Sequence, residues 1–263
     1  MNEHTRRGQP VLVLDFDGTV CVGDEPVWAY AEAVIAEILD RDEGVDPQLD
    51  DTIRARLSAF LDGEPGSAEY ADGYAAVASI SRNYADSELL EKAYRRSRRA
   101  LADGSLDIHP PERLAEFLTD LGPHTRRVLV TNAPAQGVPE SVDSLGLSGC
   151  IDTIYPNAAK PSGWRNLLPH LLEGRSPELL MSVGDIWAND LSAPLAVGCA
   201  GALIDRFDHN AGPAHLRGRT FPELYEGITE WVRDPLVFFR EHPLPSRTSL
   251  RTLHLESQEM ETP

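Results

Sequence analysis

The sequence predicts an α/β fold with a parallel β-sheet and an all-helical segment inserted after the first strand. Short runs of consecutive apolar residues recur along the chain, as is typical of strands that are buried on both faces of a sheet. Segments with helical spacing of apolar residues lie between these runs, and strands that alternate with helices indicate a parallel sheet. The stretch between residues 22 and 107 contains helical patterns alone.

Five apolar runs predict the strands of this sheet. The first run, VLVL at residues 11–14, ends directly before Asp15. The other four runs lie at residues 127–131, 151–155, 179–183 and 200–204. Helices are predicted around these strands at residues 110–121, 138–145, 163–172, 189–197 and 221–232.

The inserted segment carries its own helical patterns, at residues 27–39, 49–61, 70–84 and 87–101. We therefore divide the chain into a core of residues 1–21 and 108–232 and a helical insert of residues 22–107. The alternative is that these helices pack directly on the faces of the sheet, but so many consecutive helices without a strand favour a separate unit. Residues 233–263 are rich in Pro, Ser, Thr, Arg and Glu, which predicts a loosely ordered tail.

The charge and the cysteine content limit the partners and the compartment. The formal net charge of −18 repels phosphate, so we expect no binding to nucleic acid or to an anionic membrane. The cysteines, Cys21, Cys150 and Cys199, form no CxxC pair, which favours reduced thiols in a cytoplasmic protein. The sequence shows no run with the length of a signal peptide or of a membrane span, which agrees with that expectation.

Polar residues follow the first four predicted strands. Ligands bind at the carboxyl ends of the strands in open α/β sheets, and the ends of parallel strands meet at one edge. We therefore expect the residues after these strands to form a single site. They are Asp15, Asp17 and Gly18 after the first strand, Thr131 and Asn132 at the second, Lys160 after the third, and Asp185 and Asp190 after the fourth.

The residue types in this set suit a divalent cation and a phosphate group. Carboxylates crowded into a small volume raise one another's pKa unless a positive charge intervenes, and Mg²⁺ is a hard cation that prefers oxygen ligands. Lys160 can act as a compact point charge on anionic oxygens, and the Thr131 hydroxyl can donate to the same group. Gly18 leaves room for close approach of the backbone.

Each motif also has a purely structural interpretation. Asp and Gly after a strand are common in turns, and Lys160 before Pro161 is compatible with a solvated loop. Asp185 and the residues after it are compatible with the start of a helix, where acidic side chains suit the helix dipole. The occurrence of all four motifs in this order, each after a predicted strand, favours the functional interpretation.

With these residues the sequence resembles the haloacid dehalogenase superfamily. That superfamily carries a DxDGT box, a Thr or Ser after the second core strand, a Lys that is often followed by Pro, and a GDxxxxD-type acidic box. Here the motifs correspond to residues 15–19, Thr131, Lys160 and residues 184–190. The resemblance covers roughly residues 10–20 and 109–205. It implies a Rossmann-like core and an α-helical cap in the place of the insert.

The resemblance also implies catalytic roles. Asp15 would be the nucleophile that forms an aspartyl-phosphate, and Asp17 would protonate the leaving group and later activate water. Mg²⁺ would be the cofactor, bound by the side chains of Asp15 and Asp185 and the backbone carbonyl of Asp17, with Asp190 completing or orienting the acidic site. The phosphate site would comprise Gly18, Thr131, Asn132 and Lys160.

These roles predict a Mg²⁺-dependent phosphatase for a small phosphorylated metabolite, as a monomer or a homodimer. A phosphomutase would share the same core residues, and a non-catalytic binding or regulatory protein would retain the site without turnover. A phosphonatase would use a cap lysine, but Lys92 has acidic and basic neighbours that favour a structural role. Dehalogenation is disfavoured because Asp17 suits an alcohol leaving group. The basic run at residues 95–99 is either a solvated helix face or a surface that attracts the substrate.

Overall fold

A computed structural model describes residues 8–41, 48–66 and 69–244. Its strands form one six-stranded sheet with parallel neighbours, in the order β3-β2-β1-β4-β5-β6. This sheet and the helices around it confirm the predicted α/β fold. The strands are β1 (Val11–Leu14), β2 (Arg126–Val130), β3 (Thr153–Tyr155), β4 (Leu180–Gly184), β5 (Ala200–Ile204) and β6 (Leu216–Gly218).

Helices fill most of the remaining described chain, and none of those observed there is long and apolar enough to cross a membrane. The α-helices are α1 (Glu25–Arg41), α2 (Leu49–Leu61), α3 (Gly73–Ser81), α4 (Ser87–Ala102), α5 (Leu114–Leu121), α6 (Val138–Ser144), α7 (Trp164–Leu172), α8 (Trp187–Asp190), α9 (Ser192–Ala196), α10 (Tyr225–Arg233) and α11 (Pro235–Glu241).

The central strand β1 positions the predicted nucleophile. All residues of β1 are buried, which explains why it is a continuous apolar run. Leu14 pairs with Leu129 of β2 and with Val183 of β4, so Asp15 follows at the same edge as the ends of both neighbours. The Asp15 amide donates a hydrogen bond to the Val183 carbonyl oxygen, 3.0 Å away. This bond extends the β1–β4 pairing to the residue that carries the carboxylate.

Strand β6 is absent from the sequence prediction because it has no apolar signature. It is only three residues long, LRG, and it pairs with the end of β5. Its position depends on contacts with neighbouring segments of the same chain. Arg217 of β6 donates to the buried carboxylate of Asp205, which follows β5, and to the Gly212 carbonyl oxygen at 2.6 Å.

The chain divides into two compact units. The first comprises Met1–Val20, Pro111–Ala133 and Gly149–Pro263 and contains the sheet, whereas the second comprises Cys21–Pro110 and Pro134–Ser148. Our division from the sequence placed residues 134–148 in the core instead. The structure groups them with the helical unit, where a Cβ on Gly137 would lie only 2.8 Å from that of Ala102. Residues 42–47 and 67–68 of the insert lie outside the described residues.

Three tyrosine rings pack together inside the helical unit. The ring centroids of Tyr30, Tyr74 and Tyr94 lie 5.5–6.0 Å apart, in tilted or edge-on arrangements. The buried side chain of Arg98 joins this cluster, with its guanidinium carbon 5.7 Å from the Tyr94 ring centroid and a hydrogen bond of 3.4 Å to the Tyr74 hydroxyl. This cluster connects α1, α3 and α4 through aromatic contacts.

The basic run of α4 does not form one continuous charged surface. Arg98 is buried, and Arg95 pairs with Glu91 one turn earlier on the same helix. Lys92 forms an ion pair of 2.5 Å with Glu37 on α1, which supports the structural role expected for it. Arg96 and Arg99 are exposed.

A helix begins inside the segment for which the sequence predicts a loose tail. Asp234 caps α11 by accepting a hydrogen bond of 3.0 Å from the Val237 amide, and Phe238 is buried. The Phe238 ring stacks on His242 at a centroid distance of 4.5 Å and also contacts His215 at 6.0 Å. This contact attaches the helix to the first unit. Residues 245–263 lie outside the described residues.

His215 predicts a pH dependence of stability. Burial, together with nearby His242, lowers its pKa to about 4. Its Nδ1 accepts a hydrogen bond of 3.1 Å from the Gly201 amide, which requires the neutral ring. An unfolded chain binds this proton below its ordinary pKa near 6.5, whereas the folded chain does not until about pH 4. This contribution to stability is therefore lost as pH falls from 6.5 towards 4.

We expect His215→Asn to flatten this pH dependence, because Asn keeps an acceptor near the position of Nδ1 but cannot become charged. Thermal unfolding at pH 7.5 and pH 5 measures the effect. The fall in melting temperature between the two should be smaller in the variant than in the wild type by about 2 °C or more. His124→Asn changes an exposed histidine and serves as the control. An equal fall in all three proteins would contradict the expectation.

Candidate active site

Lys160 lies at the centre of the predicted site. Its Nζ donates hydrogen bonds of 2.6 Å to Asp15 Oδ1 and of 2.6 Å to Asp190 Oδ1. The side chain of Lys160 is only 3% exposed, so both ion pairs are shielded from water. The three residues follow β1, β3 and β4, as the parallel topology predicts. A lysine and two aspartates far apart in sequence are therefore in direct contact.

Burial and charge act against each other in this triad. Burial alone would lower the pKa of Lys160, but the charges of Asp15 and Asp190 raise it above its ordinary value. Burial raises the pKa of Asp15, and the Lys160 ammonium partly offsets that rise. Burial and the Asp15 charge raise the pKa of Asp190 to about 7. Lys160 thus stays charged at neutral pH, and its single positive charge faces two carboxylates.

Asp190 is held from several directions. Its Oδ2 accepts a hydrogen bond of 3.0 Å from the Ile186 amide, while Oδ1 accepts from Lys160. The Ser182 hydroxyl, inside β4, donates to the Asp190 carbonyl oxygen at 2.7 Å. Both carboxylate oxygens of Asp190 are therefore in use, which fits a residue that orients Lys160 and the acidic loop.

The acidic residues of the site could hold a metal ion. One ligand atom each from Asp15, Asp185 and Asp190 lies within 4.8 Å of the other two. Two glycines leave room for these carboxylates, because a Cβ on Gly18 would lie 2.2 Å from Asp185 Oδ2 and a Cβ on Gly184 would lie 2.3 Å from Asp190 Oδ2. Carboxylate oxygens suit a hard cation such as Mg²⁺, so the residues present fit the cofactor that the sequence predicts.

The backbone of Thr131 connects the β2 and β3 ends. Its amide donates to the Tyr155 carbonyl oxygen at 3.0 Å, and its own carbonyl oxygen accepts from the Ala158 amide at 2.9 Å. The buried Thr131 hydroxyl oxygen accepts a hydrogen bond of 3.0 Å from the Ala133 amide. Its hydroxyl proton remains available to an anionic oxygen, as the predicted role requires.

The Asn132 side chain contacts the main chain of Lys160. Its Oδ1 accepts a hydrogen bond of 2.6 Å from the Lys160 amide, and its Nδ2 donates one of 3.0 Å to the Lys160 carbonyl oxygen. Both polar atoms of the side chain are bonded to the backbone of another site residue. Asp17 lies two residues beyond Asp15, is partly exposed, and its charge contributes to the raised pKa of Asp15.

Three residues outside the predicted site set make contacts next to it. Ser182 had a weak signal, because it is a polar residue within an otherwise apolar strand. The indole Nε1 of Trp164 donates to the Asn189 carbonyl oxygen at 2.6 Å, and that of Trp187 donates to the Pro213 carbonyl oxygen at 2.8 Å. The tryptophan contacts involve main-chain acceptors, which leave no signature in a sequence.

Known structures share this fold. A predicted phosphoglycolate phosphatase from Haemophilus somnus 129PT is 15% identical, with a TM-score of 0.58 and a match over 84% of this chain and 98% of that chain. The magnesium-bound protein YfnB from Bacillus subtilis is 16% identical, with a TM-score of 0.55 and coverage of 84% and 99%. A HAD phosphatase from Thermococcus onnurineus is 21% identical, with a TM-score of 0.52 and coverage of 83% and 97%.

Dehalogenases are also among the similar structures, including an L-2-haloacid dehalogenase with a TM-score of 0.50. No protein-family model and no curated protein matches the sequence. The chain therefore has the fold of the haloacid dehalogenase-type hydrolases. Because phosphatases and dehalogenases both have this fold, the choice between their reactions depends on the residues of the site.

We expect Gly184→Ala to destabilise the protein by displacing Asp190. The added Cβ would lie 2.3–2.4 Å from the Asp190 side chain, including its Cβ, so rotation of the carboxylate cannot relieve the contact. Overpacking of this kind costs about 1–3 kcal/mol in the free energy of unfolding, which chemical denaturation measures. Gly8→Ala is the control, because nothing lies within 4 Å of the added Cβ. Equal stability of the two variants would contradict the described geometry.

Proposed function

We propose that this protein is a Mg²⁺-dependent phosphatase of the haloacid dehalogenase superfamily that hydrolyses a small phosphomonoester. The observation that carries the proposal is the contact of Lys160 with Asp15 and Asp190 beside the carboxylate of Asp185. At the end of the central strand, the Asp15 carboxylate offers a nucleophile, and the buried Lys160 ammonium beside it offers a fixed positive charge. A predicted phosphoglycolate phosphatase and a HAD phosphatase that share the fold support this assignment.

Asp15 is the nucleophile in this mechanism. Its Oδ1 is bonded to Lys160, which leaves Oδ2 to attack phosphorus in line with the leaving oxygen. The bond from phosphorus to the leaving oxygen breaks as the bond to Oδ2 forms, and Asp17 gives its proton to the departing alkoxide. Asp17 then takes a proton from water, which attacks the aspartyl-phosphate and releases inorganic phosphate.

Lys160 and Thr131 stabilise the phosphoryl group during both steps. The Lys160 ammonium is fixed by two ion pairs, so it needs no reorganisation when negative charge develops on the equatorial oxygens. The Thr131 hydroxyl donates to one of these oxygens. Mg²⁺ bound by Asp15, Asp185 and the Asp17 carbonyl oxygen would supply further positive charge against the phosphoryl oxygens.

Asp17 favours the phosphatase over the dehalogenase reaction. An alkoxide needs a proton when it leaves, whereas a halide leaves as a stable anion and needs none. The chain carries Asp17 two residues after the nucleophile, where it can serve as that acid. Halide release from a 2-haloacid without Mg²⁺, together with no phosphate release, would favour the dehalogenase.

The substrate class follows from charge. Because the whole protein carries a formal charge of −18, its long-range field opposes large anions such as nucleic acids. A small phosphorylated metabolite can reach the local positive charge of Lys160 with the help of the cofactor. One protein of the same fold is a predicted phosphoglycolate phosphatase, which makes phosphorylated small acids a useful part of a substrate panel.

We expect Mg²⁺-dependent release of phosphate from an aryl phosphate, and we expect Asp15→Asn to reduce it at least ~10³-fold because the amide is not a nucleophile. Phosphate release with and without EDTA measures both effects. Asp120→Asn removes an exposed carboxylate from the same unit and should retain wild-type activity. An intact wild-type site without any turnover would instead support a binding or regulatory protein.

Beryllium fluoride should inhibit the enzyme in the presence of Mg²⁺, because it forms a tetrahedral adduct on a carboxylate that mimics the aspartyl-phosphate. The ¹⁹F NMR signal of bound fluoride should appear with the wild type and disappear with Asp15→Asn. Activity that is unaffected by beryllium fluoride at saturating Mg²⁺ would argue against the covalent intermediate.

A further inference from the structure

We propose that Asn132 is a positioning residue that places the catalytic Lys160. The expected effect on turnover rests on the proposed function, whereas the expected effect on the position of Lys160 does not. The inference starts from the two hydrogen bonds by which the Asn132 side chain holds the main chain of Lys160, at 2.6 Å and 3.0 Å.

The side chain of asparagine is suited to this task. It offers one acceptor and one donor group in a plane, and these match the N–H and C=O groups of a peptide backbone. Here the acceptor and the donor are both bonded to Lys160, so two points of its backbone are fixed relative to the end of β2. A single bond would leave the segment free to rotate about the contact.

The segment before Lys160 needs such support. Asn157 and Ala159 adopt left-handed backbone conformations with φ of 51° and 52°; asparagine tolerates this conformation, whereas it costs energy for the alanine. Two backbone bonds hold this segment against the residues after β2. The Asn157 amide donates to the Ala133 carbonyl oxygen at 2.8 Å, and the Ala158 amide donates to that of Thr131 at 2.9 Å.

Lys160 amplifies any error in its backbone position. Its Nζ lies at the end of a four-carbon side chain, and it must meet both Asp15 Oδ1 and Asp190 Oδ1 at 2.6 Å. A lysine side chain has many rotamers, and it reaches one fixed position only if its backbone is fixed first. In the proposed mechanism the residues after β2 thus act on the site in two ways. The Thr131 hydroxyl donates to the phosphoryl group, and Asn132 fixes the backbone of Lys160.

Lysine labelling tests this inference without reference to activity. The chain contains only Lys92 and Lys160. The Lys92 side chain is 59% exposed and that of Lys160 is 3% exposed, so an amine-acylating reagent should modify Lys92 first. Peptide mass spectrometry then gives the rate at Lys160 relative to the rate at Lys92. In Asn132→Ala this ratio should rise about tenfold or more, the change expected when two hydrogen bonds are lost.

Steady-state kinetics of the same variants separate positioning from substrate binding. In Asn132→Ala we expect kcat to fall about 10- to 100-fold, because a displacement of about 1 Å has effects of that size, while KM changes less than about threefold. Asn132→Asp keeps one acceptor but places a second acceptor opposite the Lys160 carbonyl oxygen, so its labelling ratio should also rise above that of the wild type and its kcat should also fall. It also covers the case in which Asn132→Ala does not fold.

The control is Asn166→Ala, which removes an exposed asparagine of α7 in the same unit and should match the wild type in both measurements. A Lys160 labelling ratio that stays at the wild-type value in folded Asn132 variants would overturn the inference. So would a rise in KM with unchanged kcat, which would identify Asn132 as a substrate ligand. If the wild type releases no phosphate, the proposed function fails, and the labelling ratio still decides the positioning role.

Discussion

The candidate site depends on one buried cation. Asp15 and Asp190 are two carboxylates in a region that water hardly reaches, and their mutual repulsion would favour protonation of at least one of them. The Lys160 ammonium lies between them and offsets their repulsion, although its burial costs desolvation free energy. The resulting group carries an excess of negative charge beside Asp185. In the mechanism that we propose, that excess favours binding of a divalent cation, and the fixed ammonium favours binding of anionic oxygens.

The position of the Lys160 ammonium depends on the order of the strands. β1 lies between β2 and β4, so residues that follow β2, β3 and β4 can reach the end of β1. Asp15 continues the β1–β4 pairing, Thr131 and Asn132 connect the β2 end to the segment that carries Lys160, and Ser182 fixes the main chain of Asp190. The supports of Asp15 and Thr131 are bonds between backbone groups, and those from Asn132 and Ser182 join a side chain to a backbone group. The roles that we propose for Asp15, Thr131 and Lys160 thus rest on residues whose backbones are held by hydrogen bonds.

The helical unit has a different basis of stability. Its interior contains a cluster of three tyrosine rings and a buried arginine, and its charged residues on α4 are largely engaged with acids or aromatic rings of the same unit. Nothing in this arrangement resembles the acidic cluster of the first unit. The chemistry that we propose resides in the first unit, where Asp15, Thr131, Lys160 and Asp185 all lie.

The sequence by itself determined the α/β class, the inserted helices and the identity of the residues that meet at the strand ends. It could do so because burial on both sheet faces requires continuous apolar runs, and parallel strands bring their carboxyl ends to one edge. Only the tertiary structure decided that β6 exists, that residues 134–148 belong to the helical unit, and that Asn132 is bonded to the backbone of Lys160. These features depend on main-chain acceptors and on contacts between distant segments, and a hydrogen bond to a backbone group leaves no mark on the identity of the residue that accepts it.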